Sequence, residues 1–518
     1  MRVTTVWVVL VLPVCFGQVI LSPGNDSQVE FQLPAGAPQL VKLANLPADA
    51  EYAIIHVHSH LYNISASYNL TLTPGYYATG TDVGLVLGAG QSPLTSPIYV
   101  SHSNAAPIQV LLALQVYSNS APIPGGCNME VSIKTAPFLP TIFTQALLVV
   151  EYPLSSWPLN VRPATCDRAP LQYDIYEFYL PERDVTFRTA FDSIRLMTGV
   201  SSIEKNGRKV AFNGSPPSKV KFANYPGTGR IVAVIARTLT DSAAYVPTLS
   251  YGCNQFSEDE TDSCDVLASV GAKLLCGFLV FVGIFLTYMG HRFYKTQLYF
   301  LGFCASSLLF YVILVSFVEV APSVAGMTAT SVGAIGGALW LALWARWGAP
   351  VAPIFLAAFV LGILFASMVA YTPLADYSIL KDDGTFWLAF FCLVLVVPLS
   401  VLSFGRLTSI LWCTLVGSYI FIVPVDHYVG SNLKYIVLNI LRRASIGEFN
   451  TAIVDPPYQM RDIILTVVWA LLSATGAAFQ WWRERGRAPF PPAPTWPSRR
   501  PTTTTTDNNP TEATHLLS

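Results

Sequence analysis

The sequence predicts an all-β, sandwich-like ectodomain, two domains in tandem, joined to an α-helical bundle of seven membrane spans. Three observations carry this reading. Between Val266 and Trp482, seven apolar runs recur with hardly a charge inside them, each close to the roughly 20 residues a helix needs to cross a hydrocarbon core. Before that block the chain reads as short alternating or β-branched segments bounded by Pro, Ser and Gly, the pattern of strands. Ahead of everything stands an N-terminus with the make-up of a secretory signal.

Composition sets the outer limits. Of 518 residues, 52% are hydrophobic and only 12% charged, and the mean hydropathy is +0.47, which describes a membrane protein better than a soluble globule. The net charge of −1 leaves no basic field for nucleic acid, so nucleic-acid partners are excluded. The lipid bilayer is the first partner.

The elements follow in chain order. Residues 1–17 read as a signal peptide: Arg2 supplies the positive region, Val6–Leu12 the apolar region, and Cys15-Phe16-Gly17 a small-x-small cleavage site. Residues 18–135 and 136–265 are the two expected sandwich domains. Within them, Ala53–His60 and Ser67–Thr73 alternate, Ile108–Tyr117 and Arg230–Leu239 are apolar strands, and a short helix is predicted near Ala190–Thr198. A faint repeat supports two domains. Ile108–Asn128 and Ile231–Asn254 each run from an apolar strand through a Ser-Ala turn and a proline to Gly-Cys-Asn, with a boundary near Lys134–Thr144.

Four N-x-S/T sequons, at Asn25, Asn63, Asn69 and Asn213, all precede the first span, as glycan acceptors on an exported segment would. Cys127, Cys166, Cys253 and Cys264 form an even set in the exported part, which suggests two disulfides. Four cysteines allow three connectivities; Cys127–Cys166 and Cys253–Cys264 are the pairs nearest along the chain. Cys276, Cys304, Cys392 and Cys413 lie inside spans as apolar packing residues. His56, His58 and His60 alternate along one strand and share a face. Two of them could serve a metal, but no further ligand sits at a familiar spacing. A solvated strand face and no metal or other cofactor is the expectation.

Residues 266–482 hold spans near Val266–Met289, Gln297–Val318, Thr328–Leu343, Pro350–Tyr371, Phe386–Phe404, Leu407–Pro424 and Ile463–Trp482. The Lys/Arg bias of the short loops puts the N-terminus outside and the C-terminus in the cytoplasm. Apolar Leu433–Leu441, with its basic end, is too short to cross, and reads as an interfacial helix on the outer leaflet. Gly333 and Gly337 form a small-xxx-small pair for close helix packing. Trp340, Trp344, Trp347, Trp387, Trp481 and Trp482 fall near span ends as interface anchors. Intramembrane charge is confined to Lys273 and His291 near the ends, which disfavours proton-coupled transport or voltage sensing. No zinc-hydrolase ligand set, phosphate loop or nucleophile elbow is present, so no enzyme is expected. The third span lacks an acidic-Arg-aromatic signature and the seventh an Asn-Pro-x-x-Tyr pattern, so a rhodopsin-like receptor is not indicated.

Residues 483–518 form the tail. Arg483–Pro492 is a basic juxtamembrane patch suited to anionic lipid, and the Pro/Thr/Asn-rich stretch that follows cannot build a core. Glu512, Leu516 and Leu517 make an acidic-xxx-dileucine pattern that resembles endolysosomal sorting signals, with clathrin adaptors as the expected partners.

Several motifs carry a family resemblance. In the exported part these are Pro124–Asn128 (PGGCN), Leu171–Tyr176 (LQYDIY), Leu180–Asp184 (LPERD) and Ser242–Pro247 (SAAYVP). In the membrane block they are Gly290–Phe300 (GHRFYKTQLYF), Lys381–Trp387 (KDDGTFW), Gly417–Tyr419 (GSY) and Arg483–Pro492 (RERGRAPFPP). In this order they resemble the transmembrane 7 superfamily member 3 family, and the seven-span part is more remotely similar to transmembrane protein 198. The resemblance covers nearly the whole chain to Pro492. His56, His58, His60 and the Thr-rich tail depart from the family pattern. What the resemblance implies is a non-enzymatic, multi-pass plasma-membrane protein tied to cell survival, attenuating endoplasmic-reticulum stress and the unfolded protein response. An unidentified protein or ligand would bind its ectodomain, and the tail signal implies endosomal or lysosomal cycling. The alternative expectation is a non-rhodopsin-like seven-span signalling receptor, and after it a channel or carrier.

Overall fold

The computed structural model describes residues 18–24, 27–89, 93–127, 137–159, 171–181, 183–210, 219–257, 263–264, 270–318, 320, 322–348, 351–487 and 490. Two domains with β-sheets come first, and, among the described residues, seven candidate membrane-spanning helices follow.

The first domain is a sandwich. One sheet runs Gln18–Leu21, Gln39–Leu43, Ile98–His102, Ile64–Ser67, Tyr77–Gly80, with the first pair parallel; the other runs Gln28–Leu33, Ile108–Tyr117, Tyr52–Ser59, Asp82–Gly88. Alternation decides what each face buries. In Tyr52–Ser59 the odd residues Ala53, Ile55 and Val57 enter the domain's own core with Leu21, Val41, Leu85 and Leu112. The even residues Tyr52 and Ile54 face the other way. They pack with Val86 against Ala121, Ile123, Ala243 and Val246, an apolar seam shared with the second domain. Every residue of this strand is therefore buried.

The second domain stacks the sheet Thr141–Phe143, Leu147–Glu151, Lys219–Ala223 against a sheet centred on Gln172–Tyr179 and Arg230–Arg237. One face of Arg230–Arg237 gives Val232, Val234 and Ala236 to the core between these sheets. The opposite face gives Ile231, Ala233 and Ile235 to a core closed by Ala190, Phe191, Ile194 and Ile203. A strand covered on both faces reads as a continuous apolar run, which is how it stands in the sequence. The expected short helix is Phe187–Leu196, one turn earlier than Ala190–Thr198, because Thr186 caps it by accepting a bond from the Thr189 amide. A second, Val200–Asn206, follows. The two repeat units diverge after their strands. Arg230–Arg237 pairs with the returning strands Ser242–Ala244 and Thr248–Ser250, whereas the chain beyond Ile108–Tyr117 crosses to bridge Ser156 through Ile123.

Cys253 is bonded to Cys264, 11 residues on. Cys127 is also disulfide-bonded, and Cys166 lies outside the described residues. By loop-closure entropy, opening a ring of this size costs about 3 kcal/mol. The double variant Cys253→Ala/Cys264→Ala is expected to lose that amount, read as a lower thermal midpoint of the purified chain; an unchanged midpoint would deny the bond a stabilising role.

The helices long and apolar enough to cross a membrane are Val270–Met289, His291–Phe317, Val324–Trp347, Val351–Ala370, Asp383–Val401, Gly405–Val429 and Met460–Arg483. Two compact units divide the chain. One comprises the described residues of 1–282, 364–393 and 419–471, the other those of 283–363, 394–418 and 472–518.

In the second of these units, glycine contacts set the helix spacing. Gly333 and Gly337, the expected small pair, lie against Ser307 and Tyr299 of the second span, while Gly302 of that span lies against Trp340. Gly417 and Gly476, from the sixth and seventh spans, both meet Thr287 of the first. A π-turn at Trp412–Val416 interrupts the sixth span.

The sixth span also corrects an expectation. It runs to Val429 rather than Pro424, continuing past Pro424 as a helix, so Asp426 sits in its last turn and is fully buried. A carboxylate therefore does lie within this span, where the sequence suggested none.

Candidate functional site

A dense polar constellation joins the second β-domain to the loops between spans four and five and spans six and seven. It starts from a sheet edge. Among the described residues, strand Lys219–Ala223 pairs with a strand on one side only, and Ile453 of the six–seven loop fills the other in parallel, opposite Phe222. The Ala223 amide donates to Ile453 O at 2.8 Å and the Ile453 amide to Lys221 O at 2.9 Å. Such edge pairing satisfies backbone groups that would otherwise invite another chain.

Helix Tyr435–Ser445 seals this contact. Its sequence led to the expectation of an interfacial helix on the outer leaflet, and the structure supplies a protein partner for one of its faces. The helix forms, but the face carrying Tyr435, Ile436, Asn439, Arg442 and Arg443 is buried in protein. Tyr435 stacks edge-on against Tyr225, 4.7 Å between rings. Asn439 donates to the Tyr225 hydroxyl at 3.2 Å, and that hydroxyl donates to Val454 O. Arg442 donates to Asn224 O at 2.8 Å and Gln145 O at 2.7 Å, with its guanidinium over the Tyr435 ring. Arg443 donates to Leu380 O at 2.6 Å and lies 3.7 Å above the Phe386 ring. Arginine suits both places, because a planar fork reaches two acceptors and stacks on an aromatic face.

Charges are concentrated beneath. Arg208 pairs with both Glu177 and Asp455. Arg230 is held among Tyr179, Phe222 and Tyr225. Asp376 accepts from the amides of Val454 at 2.9 Å and Asp455 at 3.1 Å. Burial lifts the Asp455 carboxyl to about 6 against the pull of Arg208, and burial likewise raises Asp376 above the usual carboxylate range. The LPERD turn adds a further tie. Arg183 donates to the carbonyls of His427 at 2.8 Å and Tyr428 at 3.2 Å, against Gly430, where a Cβ would collide with it. Asp426 accepts from Ser431 and the Lys434 amide, and Asp462 from the amides of Asn432 and Gln459.

A second polar set lies in the other unit. His291 Nδ1 is 2.9 Å from Ser409 Oγ, Gln297 donates to that hydroxyl at 2.8 Å, and Gln480 donates to the carbonyls of Leu286 and Thr287. Phe490 stacks on His291 and Tyr294. These bonds satisfy polar groups at the helix ends, as a water-free setting requires.

Ser409 and His291 are the one hydroxyl–imidazole pair described in these two sets, and the Ser409 hydroxyl is engaged by Gln297, whose Oε1 accepts from it at 3.0 Å. Among the described residues, no group of three or more His, Cys, Asp or Glu could hold a metal ion. What the first set can do is mechanical: it holds a β-domain and two interhelical loops in one register.

Of the other residues singled out in the sequence, Asn63 and Asn69 are exposed. Asn25, Asn213, the signal peptide and Glu512, Leu516 and Leu517 of the tail lie outside the described residues. The histidines correct an expectation. His56 and His58 are 0% exposed rather than solvated, because the face they share is the one the second domain covers. His60 is half-buried, with Nε2 3.1 Å from the Tyr251 hydroxyl. Sequence reasoning missed Arg208, Arg230, Asp376, Asp455 and the role of Arg442. The signal for Arg442 was a basic end on an apolar segment, which says that a face needs cover but not by what.

Comparison with known proteins adds a family. Residues 18–117 match the family described as TM7SF3-like, N-terminal immunoglobulin-like domain; residues 122–256 match its second immunoglobulin-like domain; residues 276–481 match the TM7S3/TM198-like domain. The chain is 32% identical over 476 residues to human Transmembrane 7 superfamily member 3, covering 90% of this chain and 83% of that protein. It is 33% identical to the protein of the same name from Rattus norvegicus and 32% to that from Mus musculus, each over 90% of this chain and 84% of the relative.

Proposed function

The chain belongs to the transmembrane 7 superfamily member 3 family, and from that premise we propose that this multi-pass membrane protein is a non-enzymatic homeostasis factor. It attenuates endoplasmic-reticulum stress and the unfolded protein response in favour of cell survival, as the family resemblance implies. Its immunoglobulin-like domains bind a protein or ligand partner, and the helices take up the consequence.

The observation that supports this division of labour is the Arg442 junction. A partner that moved the second domain would pull directly on the loops after spans four and six, since backbone pairing and buried arginines leave little slack there. The topology that fits has these domains outside the cell or in the lumen and the tail in the cytoplasm, by the signal peptide and the loop-charge bias. Exposed Asn63 and Asn69 suit glycan attachment there, as do the sequons at Asn25 and Asn213. Residence at the plasma membrane, with endosomal or lysosomal cycling through adaptor binding at Glu512, Leu516 and Leu517, completes the reading.

The test is an unfolded-protein-response reporter in cells lacking the protein, challenged by blocking glycosylation. Loss is expected to raise the response, and the full chain to restore it. The two immunoglobulin-like domains carried on an unrelated single span are expected not to restore it, because the junction needs its own loops. Rescue by that fusion would remove the helices from the mechanism. No response to loss would remove the stress role itself.

A further inference from the structure

The face of Tyr52–Ser59 that meets the second domain is apolar at one end and carries two imidazoles at the other. His56 and His58 are both 0% exposed, with ring centroids 5.9 Å apart. His58 Nδ1 is 2.7 Å from Asp82 Oδ1, and the same carboxylate reaches across the seam, where Asp82 Oδ2 accepts the Leu249 amide at 3.1 Å. Among the described residues, His58 Nε2 and both ring nitrogens of His56 have no hydrogen-bond partner. Opposite His56 in register stand Gly84 and Ala113. Gly84 leaves room for the second domain, since a Cβ there would collide with Val246 and come 3.3 Å from Pro137 Cγ.

Buried polar atoms are nearly always paired, so three unpaired nitrogens at one place ask for a reason. Packing alone does not supply one, because an aliphatic side chain would fill the site without unpaired nitrogens. Two imidazoles fall short of the three or four protein ligands of a zinc site. What distinguishes histidine is that it takes a proton near neutral pH. Here the closed seam forbids it. Among the described residues, no carboxylate around His56 is free to pair: Asp82, on the neighbouring strand, is engaged by His58, Thr81 and Leu249. Asp184 acts on His60, which itself meets Tyr251, and Asp241 sits at the far end with Ser118 and Ser120. A charge on His58 would add repulsion to His56. Burial accordingly drives the His56 imidazole well below its ordinary value, with His58 adding to the effect.

We propose that the seam between the two immunoglobulin-like domains is a proton-operated latch, closed at neutral pH and released when His56 is protonated. The direction follows from proton counting. The opened state binds a proton at about 6.5 and the closed state does not, so the opened state holds more protons below that pH. Closure is then weakened about tenfold for each pH unit below 6.5, and unaffected above it. Between pH 7.4 and pH 5.0 the closed-to-open ratio falls about 30-fold.

Hydrogen exchange on the full chain in lipid nanodiscs reads this directly. The Ala244 amide donates to the Tyr117 hydroxyl and the Leu249 amide to Asp82, both across the seam. After correction for intrinsic pH dependence, their protection is expected to fall about 30-fold from pH 7.4 to 5.0. The amides of Ala223 and Ile453 report general acid unfolding. They are expected to hold, because the raised Asp455 carboxyl makes that junction steadier on the acid side of about pH 6. His56→Gln, neutral throughout, is expected to remove the larger part of the fall, and His60→Gln, at a half-buried imidazole that burial lowers less, the smaller part. Should His56→Gln not fold, His56→Leu takes its place. No fall in the native chain, or an equal fall without His56, would overturn the latch.

Discussion

Gly362→Ala is expected to destabilise the helix bundle by about 3 kcal/mol, the upper range for forcing one methyl into a packed contact. The reason starts in another helix. Pro398, inside the fifth span, has no amide hydrogen to offer residue 394, four positions back. The Val394 carbonyl is thus released from its helix in a setting without water. It lies against Gly362 of the fourth span, where a Cβ would fall far inside contact with Val394 O and 3.0 Å from its carbonyl carbon. Neither neighbour can give way, because both are main chain. The gain of about 1 kcal/mol that alanine brings to an ordinary helix position is overwhelmed. Gly326→Ala makes the control, since nothing lies within 4 Å of its missing Cβ, and it is expected to be neutral or stabilising. In detergent, thermal midpoints should separate the two variants by several degrees. Equal midpoints would show that spans four and five are not held this closely.

What could be read from the residues follows from how far each signal reaches along the chain. The spans were legible because lipid imposes length and hydropathy locally, run by run. Strand identity was legible for the same reason, as in Tyr52–Ser59, where alternation assigns Ala53, Ile55 and Val57 to one face and Tyr52, Ile54 and His56 to the other. Which partner covers the second face is a tertiary fact, so alternation alone cannot tell a solvated row of three histidines from a covered one. The same limit applies to Leu433–Leu441, whose apolar face announces a need for cover that lipid or protein could meet. Asp426 was hidden differently. Pro424 looked like the end of the sixth span, and surrounding helices override that preference. The family motifs were legible as strings, and the structure supplies their reasons. Tyr245 of SAAYVP bonds Ser155 at 2.8 Å, Asp383 of KDDGTFW faces Arg443 at 3.3 Å, and Ser418 of GSY meets Ser473 at 2.7 Å.

Arg442→Ala is expected to release helix Tyr435–Ser445 from the second immunoglobulin-like domain while leaving both domains folded. The residue is 9% exposed, and its two main acceptors, Asn224 O and Gln145 O, are 218 and 297 residues away in sequence. Hydrogen bonds from a charged donor contribute about 1.5–3 kcal/mol each, and unpaired buried carbonyls add their desolvation cost. A loss of about 3 kcal/mol is a conservative sum, equal to roughly a hundredfold fall in hydrogen-exchange protection at 1.36 kcal/mol per decade. The fall should centre on the Ala223 and Ile453 amides, which pair the domain edge to the loop. The amides of Arg230–Arg237, deep in the domain, should not respond, because their cores contain no residue of that helix. Arg442→Lys sharpens the test, since a single ammonium keeps the charge but cannot span both carbonyls in the fixed geometry of a fork. It is expected to fall between the native chain and Arg442→Ala. If lysine restored full protection, charge alone would hold the junction. If alanine changed nothing, the edge pairing of Ile453 with Phe222 would be sufficient, and the coupling of domain to helices would rest on backbone rather than on arginine.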